Sequence, residues 1–207
     1  MAEKVLLSSA YFPPSHYLSI IYRADKIFIE KEENYLKQTY RNRCVILTAS
    51  GPYPLSIPVL SGSLIKTPVK DIKIDYSKRW QQVHLRALIS SYKSSAYFEY
   101  YFDEIEKIIS GKPKYLLELN WSTLDTILKI IGLSKPVEFT KVFESKRGNE
   151  YDFRYDISPK KEIPGKFSQK EYYQVFSQKS GFVPGLSILD LIFNVGPDSI
   201  MYLSDNF

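Results

Sequence analysis

Hydrophobic and polar positions follow two different periods along this chain, and each change of period marks an element. Residues 4–9 form an apolar run closed by serines, which predicts a first strand. Pro13 and Pro14 then turn the chain, because proline cannot continue a central strand. Ser15 stands where a helix cap belongs, and Leu18, Ile21 and Tyr22 recur at helical spacing over residues 16–24. Residues 26–30 read as a second strand. The first thirty residues therefore predict a β-α-β unit with parallel strands.

Residues 39–48 alternate: Tyr40, Asn42, Cys44 and Ile46 face one way, Arg41, Arg43, Val45 and Leu47 the other. Ser50-Gly51-Pro52 turns the chain, and residues 53–59 return with Leu55, Ile57 and Val59 on one face, predicting a hairpin. Residues 69–74 predict another short strand. From residue 78 to 110 the period is helical, with a break at Ser94-Ser95 and a stop at Gly111-Lys112-Pro113. A third helix spans residues 115–131, Gly132 occupies the position of a C-terminal cap, and residues 137–143 read as a strand. Residues 144–170 are polar and poor in aliphatics, which predicts a mobile loop, linker or lid. Near the end, Ser187-Ile188-Leu189-Asp190 resembles a capping box ahead of a short apolar helix over 188–194. Gly196 and Pro197 close that helix and open a last turn. The fold expected is mixed α/β (α+β): a β-α-β unit, a β-hairpin and a helical middle section in one three-layer-like domain over residues 1–207.

Composition narrows the function classes. Hydrophobic residues at 44% and charged residues at 25% are ordinary globular values and exclude a disordered or fibrous chain. No apolar run reaches the ~18–20 residues that span a bilayer. The first residues turn polar too soon for a signal peptide, and a single cysteine fits a reducing compartment, so a cytoplasmic location is expected. One Cys and two His make a metal site unexpected, no cofactor is expected, and the absence of a P-loop, G-x-G-x-x-G, G-x-S-x-G and H-E-x-x-H removes the common nucleotide-hydrolysing, hydrolase and zincin readings. The net charge is +5, and its excess lies in residues 1–103, with 14 Lys/Arg against 9 Asp/Glu. That bias favours an anionic ligand such as a phosphate, nucleotide or acidic glycan, and is too small to argue for nucleic acid.

The candidate chemistry concentrates in the run Lys37-Gln38-Thr39-Tyr40-Arg41-Asn42-Arg43. Arg41 and Arg43, two apart on a strand, would sit ~6.5–7 Å apart, close enough to grip one polyanionic group. The competing reading pairs these arginines with Glu30, Glu32 and Glu33 as surface salt bridges. Tyr11 and His16 flank the strand-to-helix turn where α/β sheets bind ligands, with the Pro-Pro turn as a structural alternative. Cys44 and His84 are candidates for a thiolate–imidazole pair, set against a buried inert thiol and a satisfied helix histidine. Trp80, Tyr35 and Tyr92 could line a sugar or base site.

These motifs assemble into a resemblance. Residues 9–14, Glu33 to Arg43, Leu55-Ser56-Ile57-Pro58-Val59, Trp80 with His84 and Ser91-Tyr92, residues 97–101 and residues 186–191 resemble the WbqC-like protein family over nearly the whole chain. The resemblance implies a role in bacterial O-antigen or surface-polysaccharide synthesis, as a transferase adding an acyl or aminoacyl group to an activated sugar. A non-catalytic assembly module and a relative of the nucleotidyltransferases are the alternatives. It marks Tyr35, Arg41, Asn42, Arg43, Pro58, Trp80 and Tyr92 as signature positions, and His16 and His84 as less characteristic. The expected partner is an anionic small molecule or nucleotide sugar, with a second copy of the chain as a further candidate.

Overall fold

The computed structural model describes residues 3–60, 66–145, 151–161 and 169–204. Its centre is a four-stranded, all-parallel sheet in the order β5-β2-β1-β6, built from β1 (Lys4–Ser8), β2 (Lys26–Glu30), β5 (Val137–Phe139) and β6 (Tyr151–Asp152). The β-α-β reading holds: β1 pairs with β2 from Lys4↔Lys26 to Ser8↔Glu30, and α1 (Ser15–Arg23) crosses between them. Val5, Leu6 and Leu7 are all buried, as a central parallel strand covered on both faces requires.

The hairpin forms from β3 (Arg43–Thr48) and β4 (Gly51–Ser56), paired from Arg43↔Ser56 to Thr48↔Gly51. Cys44, Ile46 and Leu55 turn into the core. Pro52 and Pro54 lie in β4, whose only ladder partner among the described residues is β3, so their missing N–H groups cost no second ladder there. Helices α2 (Trp80–Tyr92), α3 (Phe98–Ser110) and α4 (Leu116–Ile130) follow the predicted helical stretches. The short α5 (Ser177–Ser180) precedes α6 (Ile188–Val195), which is almost wholly buried and mostly apolar, with Asp190 and Asn194 as its polar residues, and α7 (Ser199–Ser204) ends the described chain. Ser187 caps α6, accepting from the Leu189 N–H. One buried apolar cluster runs from Val5 to Leu203 through sheet, hairpin and helices.

Strand β5 ends at Phe139 rather than 143 and β4 spans Gly51–Ser56 rather than 53–59, and three further segments differ from expectation. Strand β3 begins at Arg43 rather than 39, because residues 39–42 form a turn closed by the Asn42 N–H on the Thr39 carbonyl (3.3 Å). Residues 69–74 are not a strand: Val69–Asp71 is a 3-10 turn after Pro68, and its buried Val69 and Ile72 are three residues apart, the period of that turn. The polar segment 144–170 is no mere loop. It supplies β6 and the buried side chain of Arg154, while residues 146–150 and 162–168 lie outside the described chain.

Candidate functional site

Strand order reverses at β1, with β2 on one side and β6 on the other. Open α/β sheets bind ligands at such a point, outside the carboxyl ends of the strands. Here that edge carries five charged side chains. Glu30, at the end of β2, accepts from the Thr140 hydroxyl, the Glu32 N–H (2.8 Å) and Arg154 Nη1 (3.0 Å). Arg154 also grips Asp152 (Nη2 to Oδ2, 2.6 Å) and donates to the Glu144 carbonyl (2.9 Å). Burial pushes the Asp152 carboxyl up, but the hydrogen bonds from Arg154 outweigh it and hold the group below its ordinary value. Beside this, Arg41 forms a two-pronged pair with Glu33 (2.9 and 2.7 Å) and donates to the Ser8 hydroxyl. Ser8 Oγ in turn donates to the Arg154 carbonyl (2.9 Å). Arg154 is thus clasped by side chain and backbone to the ends of β1 and β2.

Three carboxylates face two guanidiniums, so this cluster carries one surplus negative charge, and the space among Ser8, Ser9, Tyr40, Arg41 and Arg154 is only about 10 Å3. The two-arginine clamp expected on one strand face is not what forms. Arg41 sits in the turn before β3 and points inward to Glu33, whereas Arg43 begins the strand and donates to Ser56 Oγ (3.2 Å). The strand-to-helix turn after β1 is closed as well. The Ser15 N–H bonds to the Leu186 carbonyl (3.1 Å), and the Ile188 N–H bonds to the Pro13 carbonyl (2.8 Å).

The remaining predicted residues divide by burial. Lys37 and Gln38 are exposed on the turn, and Tyr40 is half-buried with its ring edge-on to His16 at 6.4 Å. Tyr35 and Tyr92 are buried, and the Tyr92 hydroxyl accepts the Leu47 N–H (3.1 Å). Asn42 ties the base of the hairpin, donating to the Ile57 carbonyl (3.0 Å). Cys44 is fully buried. Desolvation pushes its thiol well above the ordinary range, and its hydrogen-bond partner is Ser187 rather than His84. Burial lowers His16 to about 4. Burial also lowers His84 to about 4, against the opposing pull of a hydrogen bond to the Ser56 backbone. His84 Nδ1 meets the fully buried Tyr11 hydroxyl at 3.0 Å. His84 is thus held neutral between the Tyr11 hydroxyl at Nδ1 and the Ser56 backbone.

An open groove lies on the other side of His84, between β4 and the start of α2. It measures about 400 Å3 and is lined by Tyr53, Ser56, Lys78, Arg79, Trp80 and His84 among others. Both charged side chains in that lining are cations. Trp80 forms the inner wall, with the Tyr76 ring at 6.0 Å and the His84 ring at 5.1 Å. Helix α2 starts here without a side-chain cap and with no acidic residue in its first turn, so its positive end is uncompensated. The groove brings Trp80 and His84 together with Arg43 through Ser56. It leaves Tyr35, Arg41, Asn42 and Tyr92 elsewhere. Sequence reasoning missed Tyr53, Lys78 and Arg79; the signal for the last two was a basic pair directly ahead of a helix start.

The sequence profile of the WbqC-like protein family matches residues 8–162 and 159–202. The chain belongs to this family. The "Uncharacterized protein Rv1507c" of Mycobacterium tuberculosis is 26% identical to it, with 98% of each chain covered. No solved structure matches. Among the described residues of this WbqC-like chain no helix is long and apolar enough to cross a membrane, and no group of three or more His, Cys, Asp or Glu is placed to hold a metal ion.

Proposed function

We propose that the chain binds an activated, phosphate-bearing sugar in the groove between β4 and α2 and acts on it as a transferase, adding an acyl or aminoacyl group during bacterial surface-polysaccharide synthesis. The observation that carries the ligand class is the lining: Lys78 and Arg79 at an uncapped helix start, opposite the Tyr53 ring, with no carboxylate among the lining side chains. Cations and a helix N-terminus favour a phosphoryl group, and an aromatic wall favours a sugar or base. Membership of the WbqC-like family supports the polysaccharide setting.

The test is a thermal-shift screen of the full chain with nucleoside diphosphates and nucleotide sugars, repeated on Lys78→Ala/Arg79→Ala. A stabilising shift that disappears in the double variant is expected. No shift with any ligand, or an undiminished shift in the variant, overturns the reading. A non-catalytic binding module is the second reading. It is favoured by Cys44, whose buried thiol is held protonated, and by the burial of His16 away from the groove, which leaves His84 as the one of the three in its lining, already bonded to the Tyr11 hydroxyl. Product formation from a labelled acyl donor and sugar acceptor separates the two.

A further inference from the structure

A second groove adjoins the basic one. It measures about 560 Å3, and Tyr53 and Val83 line both. Its remaining walls are the hairpin turn at Thr48 to Ser50, Ala87, Ser90 and Ser91 of α2, and Phe176 ahead of α5. Lys179 of α5 donates to the Ala49 carbonyl (2.8 Å), which holds α5 against that turn.

The chemistry of this lining is the reverse of its neighbour's, because no Lys, Arg, His, Asp or Glu takes part in it. It offers hydroxyls instead. Thr48 is occupied, donating to the Gly51 carbonyl (2.8 Å) and accepting the Ser50 N–H (3.2 Å), so it shapes the turn. The hydroxyls of Ser50, Tyr53, Ser90 and Ser91 make no hydrogen bond to any described residue. Ser91 decides the matter: the residue is only 3% exposed, yet its hydroxyl is unpaired and not sealed off, so it reaches the groove from an otherwise buried position. Between these hydroxyls lie the exposed faces of Tyr53 and Val83, at 46% and 50% exposure.

Three ligand classes can be weighed against that surface. A phosphate would find no cation. An acyl chain would leave several hydroxyls dry and unpaired, which is costly. A sugar ring has an apolar C–H face for the tyrosine and hydroxyl edges for the serines. The geometry points to a binding site for an uncharged sugar ring in this groove, walled from the basic groove by Tyr53 and Val83. The site stands on its own lining; that it presents a second substrate beside the phosphate-bearing one rests on the proposed function.

The experiment is saturation-transfer NMR on the full chain with four neutral probes: the methyl glycosides of glucose, galactose, N-acetylglucosamine and rhamnose. At least one glycoside should show transfer. That signal should vanish in Ser90→Trp, which fills the groove from an exposed position, and affinity should fall roughly ten-fold in Tyr53→Ala. Thermal melts of both variants verify that they fold. The signal should survive in Lys78→Ala/Arg79→Ala, so failure of the nucleotide-sugar reading leaves this test intact. Absence of transfer from all four glycosides overturns the proposal. So does transfer that persists in both Ser90→Trp and Tyr53→Ala, or displacement of the glycoside by inorganic phosphate.

Discussion

Replacing Arg154 by Met tests the clasp at the sheet's carboxyl edge. Arg154 and Glu30 have side chains with no solvent exposure, and they meet at 3.0 Å. Removing the guanidinium leaves the Glu30 carboxylate buried with, among the described residues, the Thr140 hydroxyl and the Glu32 N–H as its remaining donors. Breaking one side of a buried pair costs about 3–5 kcal/mol. At roughly 2–4 °C per kcal/mol for a domain of this size, the melting temperature should fall by about 6–20 °C. Calorimetry or circular dichroism at neutral pH reads this directly. The double variant Glu30→Gln/Arg154→Met removes the stranded charge and should recover part of the loss. The pH dependence has a definite sign. The hydrogen bonds from Arg154 hold Asp152 below its ordinary value despite its desolvation. That contribution is present above the ordinary carboxylate range and is lost as pH falls through the lowered value. The gap between wild type and Arg154→Met should therefore narrow in acid. A variant melting within about 3 °C of wild type, with no coupling in the double variant, would refute the clasp.

Further outcomes follow from single residues. Asp190 is buried and desolvation raises its carboxyl, against hydrogen bonds from Tyr172, Tyr92 and Gln174. Its favourable contribution is present below the ordinary carboxylate range and is lost as pH rises through the raised value. Asp190→Asn should thus gain stability relative to wild type between pH 4 and pH 7 in urea melts; a constant difference would contradict this. The Cys44 thiol, sealed and pushed up by burial, should resist alkylation in the native protein and react once denatured; rapid native labelling, followed by mass spectrometry, would count against its burial. Gly196 has φ 67°, and an added Cβ would stand 2.5 Å from the Tyr97 ring, whereas at Gly51 (φ 106°) it would meet nothing within 4 Å. Gly196→Ala should lower the melting temperature clearly more than Gly51→Ala.

The parts of the fold legible in the sequence are those set by local period. Leu18, Ile21 and Tyr22 announce α1, the Cys44/Ile46 and Leu55 alternation announces the hairpin, and the Ser187 cap announces α6. What stayed hidden depends on distant partners. Strand β6 has two residues and exists only because Val5 and Leu6 pair with Tyr151 and Asp152. Arg154 is buried only because Glu30, 124 positions earlier, waits at the end of β2. The polar run 37–43 misled in a different way. Its alternation suits a strand, but residues 39–42 turn, closed by the Asn42 N–H on the Thr39 carbonyl, so Arg41 points inward to Glu33 while Arg43 stays nearer the surface. Of the residues marked for anion binding, the groove retains Trp80, and it adds Lys78 and Arg79, which no alternation pattern reveals.

The most direct test of the account is a calorimetric titration of the full chain with a nucleotide sugar at low and high salt. The groove reading predicts saturable binding that weakens with salt and drops at least ten-fold in Lys78→Ala/Arg79→Ala, since each charge-assisted hydrogen bond is worth about 1.5–3 kcal/mol. Binding of equal strength in wild type and double variant, or no binding at either salt concentration, would contradict it.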